Sequence, residues 1–401
     1  MVTPVGLDVE STWKNLLAGT SGIDLIKQFD TTKQQVKIAG EVKGFEPKEY
    51  MDHKMARRSG RFAHLAVAAS KQALCSGNLE IDDSNRDEIG VIVASAGGAF
   101  EMGNQEGVIE TRGAHRVNPL LIPKFGAYMA AARVGRVLGV RGPNSTVNSA
   151  CASGTDALGQ ALNMIQNGVT DVLLAGGAEA VVTPVGIATM AVLGALTKDG
   201  NDDPARASRP FDVTRTGFVL AEGAGMLLLE TEERAQERGA PILAEFAGAG
   251  WSFDATDDTA PDSAGQALAM KRALRSAGLQ PEDVSYINAH GTSTQLNDKA
   301  ETAAIKIALG EKVARRTPIS SIKSMIGHSA SAAGGVEAVA AVLTIRDNML
   351  PPTINYEHPD PACDLDYVPN EARSHDVDVV VSNSFGLGGQ NGSLVMRRYQ
   401  E

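Results

Sequence analysis

Short apolar runs alternate with amphipathic helical patterns along this chain, and the alternation occurs in two successive series. The predicted strands lie at 89–94, 146–150, 171–175, 284–289, 318–322 and 377–383. The predicted helices lie at 60–76, 128–138, 155–167, 263–277, 298–309 and 335–346. Such alternation is typical of an α/β sheet covered by helices on both faces. The two series predict duplicated α/β layers, with an N-terminal half at 1–238 and a C-terminal half at 239–401.

Charge and cysteine content exclude several classes of function. The formal net charge of −11 argues against a nucleic-acid partner, because phosphate binding needs a basic surface. No apolar run reaches the roughly 18 residues of a membrane span, and no secretory signal pattern is present. The cysteines Cys75, Cys151 and Cys363 are far apart, which favours a reduced cytoplasm over a disulfide framework. No Cys or His pair has zinc-ligand spacing, so we predict no metal.

One cysteine stands where a predicted strand turns into a predicted helix. Cys151 lies in the segment STVNSACASG, whose small residues allow a sharp turn. The N-terminus of a helix carries unpaired N–H groups and partial positive charge, which favour the thiolate over the thiol. A lone cysteine is more often an inert core residue. The position of Cys151, together with the histidines described next, predicts a nucleophile.

Other polar motifs also follow predicted strands. His290 lies in NAHGTST, Lys323 and His328 lie in KSMIGH, and Phe385 precedes a glycine-rich turn. Ligands of open α/β sheets bind at the carboxyl ends of strands, so we expect these side chains to converge with Cys151. The N–H of Cys151 and an N–H of the glycine-rich turn predict an oxyanion hole. A cysteine hydrolase would need only one histidine, whereas two histidines and a lysine indicate that a carbanion or enolate is stabilised.

With these motifs in this order, the chain resembles the β-ketoacyl-acyl carrier protein synthases, which are condensing enzymes with the thiolase fold. It is most similar to the type II synthases of dissociated fatty acid synthesis, from ESTWKNLLAG near the start, through PPTIN, to NSFG. The resemblance implies decarboxylative Claisen condensation of an acyl thioester with malonyl-acyl carrier protein in fatty acid elongation. It implies a cytoplasmic homodimer without a cofactor of its own, since phosphopantetheine arrives on the acyl carrier protein.

The resemblance also implies a role for each site residue. Cys151 accepts the acyl group, His290 and His328 promote decarboxylation of the malonyl thioester, Lys323 polarises that network, and Phe385 acts as a gate. By the same resemblance, Thr292 and Thr294 hydrogen-bond the pantetheine arm, and Asp298, Glu301 and Glu337 hold Lys323. The acyl pocket is lined by Met190 and Phe100 and, from the partner copy across the dimer interface, by Leu121 and Ile122. The carrier-docking surface consists of Arg116, Lys124, Arg57 and Arg58.

The chain departs from the family pattern in several places. Family members usually begin with a further β-strand that this sequence does not show, either because the strand is absent or because the reading frame was assigned too short. An absent strand predicts an open sheet edge or an apolar groove. The other departures are Gly194 in place of a docking arginine, Leu387 in place of Phe, Gln390 in place of Thr, Ile326 in place of Thr, and the acidic stretch 256–258 near the pantetheine tunnel.

Two alternative functions stay open at this point. One is a specialised polyketide-type ketosynthase with an unusual starter, and the other is a catalytically silent partner subunit, although such subunits typically lack the cysteine. A thiolase would need a second cysteine in a glycine-rich turn, which Cys363 does not provide.

Overall fold

The computed structural model describes residues 1–400, apart from the side chains of 101–104. The strands are β1 Ile23–Leu25, β2 Ile38–Gly40, β3 Ile89–Ala94, β4 Asn144–Val147, β5 Val172–Ala180, β6 Glu222–Glu230, β7 Glu245–Phe253, β8 Tyr286–Asn288, β9 Ile319–Ser320, β10 Met349–Leu350, β11 Arg373–Ser374, β12 Val379–Phe385 and β13 Gln390–Arg397. The helices are α1 Val9–Leu17, α2 His53–Arg57, α3 Arg61–Ser76, α4 Ala99–Arg112, α5 Leu121–Phe125, α6 Met129–Leu138, α7 Ser153–Gln166, α8 Pro184–Val192, α9 Glu232–Glu237, α10 Ser263–Ser276, α11 Gln295–Leu309, α12 Glu311–Ala314, α13 Lys323–Ile326 and α14 Ala333–Asp347. Among these helices, none is both long and apolar enough to cross a bilayer.

Two mixed sheets repeat the same arrangement of strands. In the first sheet, with the order β4-β3-β5-β6, three parallel strands are followed by the antiparallel β6. In the second, β9-β8-β12-β13-β7, three parallel strands are followed by the antiparallel β13, and β7 adds a fifth strand. The predicted duplication is therefore confirmed. The first sheet ends with Glu230 and the second begins with Glu245, so a division of the chain at 238/239 stays our proposal.

Helices separate and cover the two sheets to give five layers. Helices α7 and α14 contact strands of both sheets and form the central layer. Helices α3 and α6 cover the outer face of the first sheet, and α10 and α11 cover the second. Small residues in the central layer bring the first turns of α7 and α14 together. A Cβ on Gly154 of α7 would lie 2.6 Å from the backbone nitrogen of Gly335 of α14.

The predicted apolar groove lies along the outer edge of β6. Val2 and Ala224 exchange two backbone hydrogen bonds of 2.8 and 2.9 Å, but no regular strand pairs with this edge among residues 1–400. Beside it is a cavity of about 670 Å³, whose lining includes Met226, Leu228 and Leu343. In the second sheet the strand equivalent to β6 is β13, and there β7 pairs with this outer edge.

Candidate active site

Cys151 is held in a tight turn between a strand and the central helix α7. Strand β4 ends at Val147 and α7 begins at Ser153, so Cys151 precedes the first helical turn. Ala150 has φ +52°, which residues with a Cβ rarely adopt. The Ser153 hydroxyl donates to the Ala150 carbonyl at 2.5 Å and accepts the Ser149 N–H at 2.8 Å. These bonds stabilise the strained turn and fix the position of the sulfur.

Burial raises the pKa of the Cys151 thiol above its ordinary value. The N–H of Leu387 and the charge of Lys323 oppose this shift without cancelling it. The structure therefore does not bear out a thiolate favoured by the helix N-terminus, because burial is the largest influence on this pKa. The thiol has to lose its proton as it attacks.

The glycine-rich turn brings a second backbone donor to Cys151. The N–H groups of Leu387 and of Cys151 itself both act on the sulfur. The oxyanion hole stays a prediction, and the N–H of Leu387 is the candidate for its second donor. Phe385 precedes this turn, as the sequence indicates. It is the last residue of β12, paired with Asn391 of β13, and its buried ring lies 5.7 Å from the ring of His290.

Two buried histidines face each other beside Cys151. The ring centroids of His290 and His328 are 5.3 Å apart and the rings are nearly perpendicular. Both side chains line the same cavity of about 550 Å³ as Cys151. His290 lies two residues beyond the end of β8, and the backbone of His328 is held by hydrogen bonds to Val219 and Ala221. The predicted convergence of the strand ends is thus present.

Both imidazoles are neutral. Burial lowers the pKa of His290 and of His328 well below the usual value, and the charge of Lys323 lowers both further. The Lys323 ammonium lies 3.5 Å from His290 Nδ1. Because an ammonium can only donate, Nδ1 is the acceptor and the imidazole proton is on Nε2. His290 therefore has an N–H available to the cavity.

Lys323 is paired with Glu337, as predicted. The two buried side chains form an ion pair, with Glu337 projecting from α14. Burial raises the pKa of Glu337, and the charge of Lys323 opposes that shift. Two charges in a dry interior persist only when they are paired, so this carboxylate holds the ammonium beside His290.

The other predicted acids have different partners. The carboxylate of Glu301 accepts the backbone N–H groups of His290 and Gly291, each at 2.8 Å, and so fixes the strand end that carries the histidine. Asp298 does not hold Lys323. It lies 3.3 Å from Arg215 Nε and accepts the N–H of Phe211, because the first turn of α11 directs it toward the loop that carries Arg215.

The cavity continues from Cys151 to the surface. Thr292 and Thr294 line it, with their hydroxyls 3.0 Å apart. The outer part is acidic, because Asp254, Asp257 and Asp258 line it while the described lining includes no lysine or arginine. The predicted pantetheine threonines are therefore placed along the route to the sulfur.

None of the four predicted acyl-pocket residues lines this cavity within the described single chain. Phe100, Met190 and Phe218 each pack against a separate cluster of buried apolar residues. Phe218 lines the cavity and its ring lies 5.1 Å from that of His328. This cluster is therefore adjacent to the site through Phe218.

A buried arginine brings predicted docking residues close together. The sequence patterns did not single out this arginine. Arg133 of α6 donates to the carbonyls of Arg58 and Pro123 at 2.9 and 3.0 Å. The exposed Arg57 and Arg58 are thereby brought close to Lys124, although they are far apart in sequence. Arg133 is buried on an apolar helix face, so its charge among apolar residues is the one sequence signal that could have identified it. We name Arg57, Arg58 and Lys124 the basic cluster.

Solved structures share this fold over the whole chain. A β-ketoacyl synthase from Burkholderia phymatum superposes with a TM-score of 0.93 at 35% identity, covering 100% of this chain and 97% of the other. The ishigamide ketosynthase/chain length factor gives a TM-score of 0.93 at 36% identity, with coverages of 100% and 97%. A type II polyketide ketosynthase in complex with its acyl-carrier protein gives 0.89 at 34% identity, with coverages of 99% and 97%. Fold and site thus define a condensing enzyme of the thiolase type.

Sequence comparisons identify the family within that class. The N-terminal domain model of β-ketoacyl synthases matches residues 1–235, and the C-terminal domain model matches 243–357. The 3-oxoacyl-[acyl-carrier-protein] synthase 2 of Synechocystis is 46% identical, and the match covers 100% of this chain and 96% of that protein. The synthase 2 of Vibrio cholerae is 44% identical, with coverages of 99% and 97%. The chain belongs to the β-ketoacyl synthase family.

Proposed function

We propose that this acyltransferase condenses an acyl group held on Cys151 with malonyl-acyl carrier protein, giving 3-oxoacyl-acyl carrier protein in fatty acid elongation. One observation carries the proposal: a cysteine and two neutral imidazoles line a single cavity that opens to the surface, and a buried ion pair lies beside one of the imidazoles. Synthases of this name at 42–46% identity support the same reaction. The enzyme needs no cofactor of its own, since the phosphopantetheine is part of the substrate.

The first half-reaction transfers the acyl group to the enzyme. The sulfur of Cys151 attacks the thioester carbonyl, and the carbonyl oxygen becomes an oxyanion that accepts the N–H groups of Cys151 and Leu387. The carbon–sulfur bond to phosphopantetheine then breaks, and the departing sulfur takes the proton that Cys151 loses.

The second half-reaction needs hydrogen-bond donors for an enolate. The malonyl thioester carbonyl accepts N–H groups from His290 and His328, and CO₂ leaves while its bonding electron pair remains as the enolate. The Lys323 charge beside His290 stabilises this anion. The enolate carbon attacks the acyl-Cys151 carbonyl, the bond to sulfur breaks, and the released thiolate takes a proton from solvent. Neutral imidazoles are suited to this task because they carry an N–H without a charge that would trap the carboxylate.

The acyl pocket and the quaternary structure belong together in this proposal. Ile122 is 59% exposed in the single chain, next to the half-buried Leu121. We place both at a homodimer interface, where they extend the acyl pocket of the partner copy toward Phe100 and Met190. Phe385, packed on His290, acts as a gate by changing its rotamer within a fixed strand. The enzyme acts in the cytoplasm, where its carrier-bound substrates are made.

The partner that delivers both substrates is an acyl carrier protein. The exposed Arg116 and the basic cluster supply positive charge on an otherwise acidic enzyme. Oppositely charged surfaces raise the rate of encounter more than the final affinity. We therefore assign these residues to steering of the acidic carrier.

The test supplies malonyl-carrier protein and acyl-carrier proteins of graded chain length, and detects 3-oxoacyl product and CO₂. The Cys151→Ala variant is expected to abolish condensation. The Cys151→Gln variant, which imitates the acylated state, is expected to keep malonyl decarboxylation. A wild-type protein that releases neither CO₂ nor product would be a silent subunit, and a protein that condenses only unusual starters would be a specialised ketosynthase.

A further inference from the structure

Exposed apolar side chains surround the mouth of the catalytic cavity. Leu193, Leu296 and Leu387 line the cavity and are 47%, 62% and 46% exposed, and Val192, beside Leu193, is 83% exposed. These four residues come from the end of α8, the start of α11 and the glycine-rich turn. We name them the apolar rim. Clustered exposed apolar side chains are typical of interaction sites.

The charges at the mouth are fixed and of one sign. Asp254 accepts the side-chain amide of Asn391 at 2.6 Å and the N–H of Asp262 at 3.1 Å. Asp257 accepts the N–H groups of Thr259 and Ala260, which holds it at the tip of the same loop. Because no lysine or arginine is among the described lining residues, an acidic carrier finds no ion-pair partner at the mouth. Close contact between the carrier and the mouth of the cavity therefore has to come from apolar surface.

Building on the proposed function, we propose that the apolar rim is the seat on which the acyl carrier protein places the apolar side chains around its phosphopantetheine attachment. The occupant follows from continuity, since the rim opens directly into the cavity that holds Cys151 and Thr292. Only a partner whose arm enters that cavity can sit on the rim without blocking it. The basic cluster steers the encounter, and the apolar rim holds the complex together once the arm is inserted.

The test separates carrier docking from chemistry by changing the malonyl donor. The enzyme is acylated with octanoyl-N-acetylcysteamine, and the KM is measured for malonyl-carrier protein and for malonyl-N-acetylcysteamine. The Val192→Ser variant is expected to raise the KM for malonyl-carrier protein about fifteenfold, the loss that full burial of two methyl groups represents. Its kcat and its kcat/KM for the small thioester are expected to stay within twofold of wild type. Val169→Ser is the matched control, because Val169 is 56% exposed beyond the far end of α7.

A salt titration distinguishes the rim from the basic cluster. Charge reversal at Arg57 and Arg58 is expected to flatten the dependence of KM on NaCl, whereas Val192→Ser is expected to raise KM equally at low and high salt. If Val192→Ser leaves the carrier KM unchanged, or shifts both substrates equally, the rim is not the docking seat. A wild-type enzyme that makes no product from the two small thioesters would instead overturn the proposed function itself, and the rim assignment with it.

Discussion

At the scale of single residues, the site depends on one buried positive charge. Lys323 lies beside His290 and is held there by Glu337. Its charge helps to keep both imidazoles neutral and lowers the pKa of the Cys151 thiol relative to burial alone. The same ammonium thus acts on all three reacting groups, but it matters most where negative charge develops.

Replacing Lys323 should therefore affect the two half-reactions unequally. We expect Lys323→Met to slow malonyl decarboxylation by about 10²-fold, the usual effect of removing one group that stabilises a developing anion. Transfer of an acyl group to Cys151, followed by mass spectrometry of the intact protein, should remain measurable. Lys299→Met on the exposed part of α11 is the control and should change neither step. Equal losses in both half-reactions would contradict this assignment.

A second buried acid, Glu179, makes stability depend on pH. It lies at the end of β5, and its two oxygens accept the N–H groups of Ala96 and Ala180 at 2.8 and 3.1 Å. Burial nevertheless raises the pKa of Glu179 to about 7. A raised pKa means that the folded protein binds a proton that the unfolded chain has lost, so Glu179 favours folding at low pH and less so as the pH rises through 7.

The Glu179→Gln variant removes this titration. We expect the free energy of unfolding of the wild type, relative to the variant, to fall by about 1 kcal/mol between pH 6 and pH 8. Urea denaturation at both pH values measures the difference, and Glu301, whose pKa burial also raises to about 7, is present in both proteins and cancels. The exposed Glu237→Gln serves as control. A difference that does not change with pH would show that Glu179 is ionised throughout this range.

At the scale of elements, glycines set the distance between the central helices and the sheets. Gly335 of α14 lies so close to the first sheet that a Cβ there would be 2.5 Å from the Gly177 nitrogen and the Gly225 oxygen. The same helix carries Glu337 one half-turn later, so this contact also sets the position of the Lys323 partner. Packing and catalysis thus share one helix turn.

Gly335→Ala should separate α14 from the sheet. We expect a loss of about 1–3 kcal/mol in the free energy of unfolding, since backbone atoms on both sides have to move. We also expect a reduced decarboxylation rate as Glu337 shifts. Gly107→Ala in α4 is the matched control, because a Cβ there meets nothing within 4 Å and alanine favours a helix. The prediction fails if the two alanine variants unfold at the same urea concentration.

The glycines also explain which elements the sequence could predict. The strand at 89–94 and the helices with regular apolar spacing were placed within two or three residues of their observed ends. Strands β6, β7 and β13 were missed, because their glycines lower strand propensity where helices approach closely. Gly225 meets α14, Gly250 meets α10, and Gly392 meets Thr155 of α7. A single sequence does not show those partners.

The site residues show the same division between features that a local sequence pattern predicts and features that depend on distant partners. Cys151, His290, His328 and Lys323 stand in local motifs at strand ends, so their convergence could be predicted. The contacts of Asp298 with Arg215 and of Arg133 with Arg58 join segments distant in sequence, and no local pattern records them.

At the scale of the whole molecule, the two sheets match strand for strand except at one edge. The fifth strand β7 borders β13, whereas within residues 1–400 the equivalent edge of β6 carries only the bridge to Val2. At the opposite edge of the first sheet, β4 pairs with β3 alone within residues 1–400. Strand edges with unpaired N–H and C=O groups favour pairing with another chain. The β4 edge precedes Cys151, so a second copy seated there would lie close to the catalytic turn.

The proposed homodimer can be tested through Ile122, which the single chain leaves exposed on α5. We expect Ile122→Asp to shift the sedimentation of the enzyme from dimer to monomer, because an aspartate buried at an apolar interface has no partner for its charge. Because we place Leu121 and Ile122 in the partner's acyl pocket, use of long acyl chains should fall more than use of short ones. Ile307→Asp, at a residue 48% exposed on α11, should leave sedimentation unchanged. A variant that remains dimeric and keeps its chain-length profile would place the acyl pocket within one chain.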